Sequence, residues 1–189
     1  AAIDQDYLST LRRFCVAADA QTVLEIGIGP ESKSALTFAG TMQGGHVVSI
    51  DIDPDRPRKQ DWQAMAHMGA KWTVVHGDSL KVSVELEDEI DLLYVDGDHS
   101  YEYALGDFLR FEPYVRPGGY ILVDDYPSFM GVVEAIAELE QRGWKGLFLP
   151  YDMENNGHII YRKPGFIAPW VKDSNAADFS PSLMRGWDT

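Results

Sequence analysis

Val23-Leu24-Glu25-Ile26-Gly27-Ile28-Gly29 is a short apolar strand that runs into a glycine turn, and Val47-Val48-Ser49-Ile50-Asp51 is a second apolar strand that ends in acid. Glycine has no Cβ, so a chain can turn sharply there and come close to a ligand. A carboxylate at the tip of the following strand stands where the diol of a ribose needs an acceptor. Together the two stretches predict a nucleoside pocket at the carboxyl edge of a parallel sheet.

Outward from this pair, short apolar runs alternate with helical stretches as far as residue 162. The pattern predicts strands at Thr22–Ile26, Val47–Asp51, Trp72–His76, Ile90–Asp96 and Gly119–Asp124. Helices are predicted at Asp4–Ala18, Ser32–Met42, Arg58–Gly69, Tyr101–Tyr114 and Ser128–Arg142. Such alternation implies an α/β fold whose parallel sheet is covered on both faces. Gly146–Tyr151 and His158–Arg162, joined by the Asn- and Gly-rich Asp152–Gly157, read as an antiparallel edge hairpin. The expected architecture is a Rossmann-like doubly wound sheet of order 3-2-1-4-5-7-6, with residues 1–162 as one domain and 163–189 as an irregular tail. Trp170, Phe179 and Trp187 in that tail suit docking on the body, and they also allow a homo-oligomeric contact.

A chain of 189 residues has room for one full core. Its 45% hydrophobic and 12% aromatic content fits a packed globular protein. No apolar run reaches ~20 residues and no basic-then-apolar leader is visible, so neither a membrane span nor a signal peptide is expected. The single Cys15 lies on the apolar face of the first helix and reads as a buried thiol; with no internal disulfide, a cytoplasmic setting is expected. A formal charge of −14 repels phosphate backbones and argues against nucleic acid as a partner. His46, His67, His76 and His158 share no ligand spacing and read as ordinary polar positions, and Trp62, Trp72 and Trp144 as core.

The glycine turn narrows the choice of nucleoside. A dinucleotide fingerprint needs a third glycine, and here Ser32 stands at that position, after Pro30 and Glu31. A pyrophosphate would also meet Glu31 and Glu25. S-adenosylmethionine carries a sulfonium and an ammonium, which tolerate acid, and no phosphate. Its carboxylate would lie at the N-terminus of the helix that starts near Ser32, with the Ser34 hydroxyl as a donor. Asp51 would accept from the ribose, and Glu25 would orient the ammonium through backbone and water contacts. Asp53 is the second candidate near the ribose, better suited to capping the next helix.

The remaining chemistry gathers on the fourth and fifth strands. The fourth ends in Asp96-Gly97-Asp98-His99-Ser100-Tyr101 and the fifth in Asp124-Asp125. Carboxylates this close raise one another's pKa, and a divalent cation removes that penalty. Oxygen-rich donors suit Mg²⁺, with Asp96, Asp124 and Asp125 as the expected ligands. Tyr126 and Phe129 follow at once and are placed to line an acceptor pocket. Histidine is the residue type whose ordinary pKa lies near neutrality, which makes His99 a candidate base.

With these motifs in hand, residues 20–162 resemble the class I S-adenosylmethionine-dependent methyltransferases, and among them the small metal-dependent O-methyltransferases. The likeness rests on the order Glu25-Ile26-Gly27-Ile28-Gly29, Ile50-Asp51, Gly77-Asp78-Ser79, Asp96-Gly97-Asp98-His99 and Pro117-Gly118-Gly119 before Asp124-Asp125. It implies that Gly27, Gly29, Gly77 and Asp96 flank the cofactor, and that Asp78 and Ser79 meet its adenine. In catechol and caffeoyl-coenzyme A O-methyltransferases a lysine base follows the metal aspartate by three positions, where this chain has His99. In macrolide-sugar and aminocoumarin-sugar enzymes the second aspartate of D-G-D is the proposed base, which corresponds to Asp98. The glycine turn is one residue longer than in the catechol type. The implied activity is Mg²⁺-assisted methylation of a small hydroxylated molecule, a sugar or a phenol. Competing readings are an aspartyl-nucleophile phosphatase, a nicotinamide oxidoreductase, an N-methyltransferase and a non-catalytic cofactor-binding module.

Overall fold

The computed structural model describes residues 7–86, 89–152 and 154–165. Its strands are β1 (Thr22–Ile26), β2 (His46–Asp51), β3 (Lys71–His76), β4 (Ile90–Val95), β5 (Val115–Tyr126), β6 (Leu147–Pro150) and β7 (Gly157–Arg162). Its helices are α1 (Tyr7–Ala17), α2 (Lys33–Met42), α3 (Lys59–His67), α4 (Tyr101–Phe111) and α5 (Met130–Gln141). The sheet runs β3-β2-β1-β4-β5-β7-β6, as the sequence pattern implies. β7 is antiparallel to both β5 and β6. The tail aromatics Trp170, Phe179 and Trp187 lie outside the described residues. No helix among the described residues is long and apolar enough to cross a membrane.

Period-two alternation divides the strands between two cores. Leu24, Ile26, Leu93 and Val95 face α4 and α5 and pack with Ala104, Phe108, Val132 and Leu139. Val23, Leu92, Tyr94 and Leu122 face the other way and pack with Leu11 and Cys15 of α1, Phe38 of α2 and Met65 of α3. Burial pushes the Cys15 thiol up to about 11, so it behaves as a small apolar side chain. Fully buried side chains such as Phe38 and Phe108 each contribute about 2–3 kcal/mol by leaving water.

Several boundaries differ from expectation for local reasons. The fourth helix ends at Phe111, and Glu112–Tyr114 form a 3₁₀ turn, because Pro113 cannot donate to a continuing α-helical ladder. The fifth helix starts at Met130 rather than Ser128, since the Ser128 N–H is taken by the Asp125 carbonyl in a turn. Trp62, expected in the core, is 42% exposed and lies against Trp72 with ring centroids 4.8 Å apart.

Asp107 of α4 is fully buried, and neither carboxylate oxygen meets hydrogen-bond geometry. Burial pushes its pKa up to about 6, partly offset by the nearby Ser79 hydroxyl. A carboxyl raised in the folded state contributes stability that is complete below the unfolded value, about 4, and is lost as pH rises through the folded value. Asp107→Asn should therefore stabilise the protein by about 2 kcal/mol at pH 8, and the gain should vanish near pH 4. Thermal unfolding across that range checks the sign; a gain independent of pH would remove the titration from the account.

Candidate active site

The β1 turn lies directly against the end of β4. A Cβ built on Gly27 would stand 2.0 Å from the Asp96 carbonyl oxygen, and Gly27 has φ +88°, so both space and conformation require glycine. The Gly27 N–H donates to the Ile50 carbonyl (2.8 Å) and the Asp96 N–H to the Ile26 carbonyl (3.0 Å), tying three strand ends together. A cavity of about 650 Å³ opens above them, within the range of small-molecule sites. Gly27, Gly29, Ser34, Asp51, Gly77, Asp78, Ser79, Asp96, Asp98, His99 and Asp125 all line it.

At one end, Asp51 accepts from the Ile28 N–H and the Asp53 N–H, each at 2.8 Å, which fixes its carboxylate at the tip of β2. Asp53 caps a turn through the Asp55 N–H (3.0 Å) and pairs with Arg56. Asp78 is held by the Leu80 N–H (3.0 Å), the Tyr103 hydroxyl (3.0 Å) and Lys81 (2.6 Å). The Lys81 hydrogen bond is the main reason that the Asp78 carboxyl lies below its usual range.

Glu25 and Ser34 are arranged otherwise than expected. Glu25 has the same parity as Val23, so its side chain turns beneath α2 rather than into the cavity, and it is fully buried. Its carboxylate accepts from the Ser34 and Ser49 hydroxyls, each at 2.6 Å, and Ser49 in turn accepts from the Trp72 indole at 2.8 Å. Burial raises Glu25 to about 7 against the lowering effect of the two serines. The single Ser34 proton is committed to Glu25, so toward the cavity Ser34 offers lone pairs rather than the expected donor. Ser32, at the third position of the glycine pattern, is buried at the wall of the cavity and donates to Asp61 at 3.1 Å.

At the other end, Asp96, His99 and Asp125 each present a ligand atom within 4.8 Å of the others. His99 Nε2 lies 2.7 Å from Asp125 Oδ2, and the imidazole stacks on Phe129 with centroids 4.0 Å apart. Burial and then the charges of Asp124 and Asp125 push Asp96 well above the usual carboxylate range. Burial and Asp124 also raise Asp125, against the opposing effect of His99. Asp98 is exposed and accepts from the Ser100 N–H at 2.9 Å, which lowers its pKa.

Asp124 departs from the expected ligand set, which leaves Asp96 and Asp125 as its carboxylates, with His99 beside them. The Asp124 carboxylate turns to the α1 side of the sheet, where it accepts from the Tyr94 hydroxyl (2.5 Å), the Tyr151 hydroxyl (3.0 Å) and the Asp125 N–H (2.7 Å). Fully buried His158 places Nε2 3.4 Å from the same carboxylate. The physical reason lies in the slip of the β5–β7 register between Val123 and Tyr126, which turns Asp125 away from its neighbour. Strand parity two residues before Asp96 could have found Tyr94. His158 and Tyr151 carried no such signal, because their approach depends on the hairpin register.

The family model for a methyltransferase domain matches residues 24–126, and this chain belongs to that family. It is 33% identical over 89 residues to uncharacterized protein R132 of Acanthamoeba polyphaga mimivirus, covering 42% of this chain and 40% of that protein. A protein of Mycobacterium sp. (strain JLS), named as a candidate O-methyltransferase, is 28% identical over 119 residues, covering 61% of this chain and 52% of its own length. The chain thus spans about half the length of the curated relatives it matches. Among solved structures, the O-methyltransferase TomG from Streptomyces achromogenes, in complex with S-adenosylmethionine, superposes with a TM-score of 0.64 at 16% identity, covering 84% of this chain and 79% of that one. The last likeness is one of fold.

The close approach at the β1 turn generates a test. Gly27→Ala should lower stability by about 2–4 kcal/mol, because a Cβ must displace the Asp96 main chain and also adopt a strained φ. Gly29→Ala carries only the conformational cost, since nothing lies within 4 Å of its Cβ position, and should lose about 1 kcal/mol. Chemical denaturation of both variants checks the order.

Proposed function

We propose that this domain binds S-adenosylmethionine and methylates a hydroxyl group of a small molecule, a sugar or a phenol, with a divalent cation such as Mg²⁺ beside the acceptor. The observation that carries the reading is the meeting of Asp96, His99 and Asp125 at the end of the cavity opposite Asp51 and Asp78. When bound, the cofactor supplies an electrophilic methyl group, and the cation lowers the pKa of an acceptor hydroxyl.

The protein's own groups divide the remaining work. Asp51 stands to accept from the ribose diol, and Asp78 with Ser79 to meet the adenine. Ser34 presents lone pairs to the ammonium of the amino-acid end. His99 is the base: Asp125 orients the ring through Nε2 and leaves Nδ1 to take the acceptor's proton. Asp98, lowered by its bond to Ser100, is the poorer base of the two. The donor set suits a cation because two raised carboxyls stand together, a penalty that positive charge removes. The exposed Phe129 and Met130 offer an apolar wall to the acceptor.

Calorimetry with S-adenosylmethionine, S-adenosylhomocysteine and NAD, each with and without EDTA, tests the cofactor. Both adenosyl compounds should bind and NAD should not; NAD binding alone would replace the reading with a dehydrogenase. With catechol and a free hexose as trial acceptors, His99→Ala should slow transfer about 10²–10⁴-fold and leave S-adenosylhomocysteine affinity within about twofold. Full activity in EDTA would take the cation out of the reaction.

A further inference from the structure

Asp125 is a non-glycine residue at φ +61°, a left-handed conformation that costs about 1 kcal/mol. It sits where the β5–β7 ladder slips. Val123 is opposite Ile159 and Tyr126 is opposite Gly157, so β5 carries one extra residue facing His158. A bulge of this kind re-aims a side chain, and here it turns Asp125 toward His99 while Asp124 stays on the α1 face. The strained conformation is held at its N–H, which donates to Asp124 Oδ1 at 2.7 Å.

What fixes Asp124 therefore fixes Asp125. Its Oδ2 accepts from Tyr94 on β4 and its Oδ1 from Tyr151 in the edge hairpin. Between the two phenol rings lies His158, with centroids 5.9 Å from Tyr94 and 4.9 Å from Tyr151 and neither ring nitrogen hydrogen-bonded. The imidazole acts as a spacer that sets the distance between two hydroxyls. We propose that Tyr94, Tyr151 and His158 are positioning residues: through Asp124 they hold the Asp125 bulge, and with it the orientation of His99 and the gap between Asp96 and Asp125.

The cation part of this inference rests on the proposed function; the orientation of His99 does not. The test uses Tyr151→Phe and Tyr94→Phe, which remove one hydroxyl each and keep the ring, with Tyr120→Phe as a distant control. Three quantities are read on the whole chain: Mn²⁺ affinity, the imidazole ¹⁵N resonances of His99 at fixed pH, and S-adenosylhomocysteine affinity. Both site variants should weaken Mn²⁺ binding about 10-fold or more and shift the His99 resonances, with S-adenosylhomocysteine affinity within about twofold. The control should match the parent in all three. Unchanged His99 resonances in both variants would overturn the inference, whether or not Mn²⁺ binds. Absence of Mn²⁺ binding in the parent protein would sink the cation reading alone, and the resonances would still decide the positioning role. A loss of thermal stability without a change at His99 would reduce the three residues to packing.

Discussion

The Asp96 carbonyl oxygen lies where the side chain of residue 27 would begin, and the whole carboxyl edge of the sheet is arranged around that contact. Because Gly27 admits it, β1 and β4 can end side by side with their following loops splayed apart. The opening between those loops is the cavity. Ile50 and Ile26 lend carbonyls to the same junction, so the tip of β2 is fixed with it and Asp51 cannot drift from the turn it faces. A single missing methyl group thus sets the relation between the two ends of the site.

Electrostatics then distinguish the ends. At the Asp51 and Asp78 end, each carboxylate is met by backbone N–H groups, a hydroxyl or a lysine, and negative charge is stable there. At the Asp96 and Asp125 end, burial and then the charge of Asp124 push protons on, and His99 opposes the shift at Asp125. One end is a finished hydrogen-bonding surface, the other a concentration of unbalanced charge. Reactive groups belong at the second kind of place, where a bound partner completes the balance.

The sheet order, the two-sided core and the position of the site were legible in the chain because each rests on local pattern. Alternating apolar runs gave the strands, and the strand-end motifs brought Asp51, Asp96 and His99 to one edge. Side-chain direction was less legible. Glu25 reads as a cavity residue from its place in the glycine motif, yet strand parity sends it under α2 to Ser34 and Ser49. Asp124 and Asp125 read as a pair, yet they serve different faces. Only a register slip opposite His158 distinguishes them, and no single segment encodes that slip. The exposed Trp62 failed for a related reason: an aromatic residue in an amphipathic helix can lie on the rim against another aromatic and still be well packed on one side.

The cavity divides its construction between two kinds of material. Turns and strand ends, with Gly27 and the carbonyls around it, shape the half near Asp51, and altering that half means altering the path of the chain. Beside His99 the surface is made by side chains at a helix start, where Phe129 stacks on the imidazole and Phe129 and Met130 are 42% and 70% exposed. An exposed side chain such as Met130 can be replaced at little cost to the fold. The surface beside the cavity can therefore vary while the path of the chain that forms the cavity stays as it is.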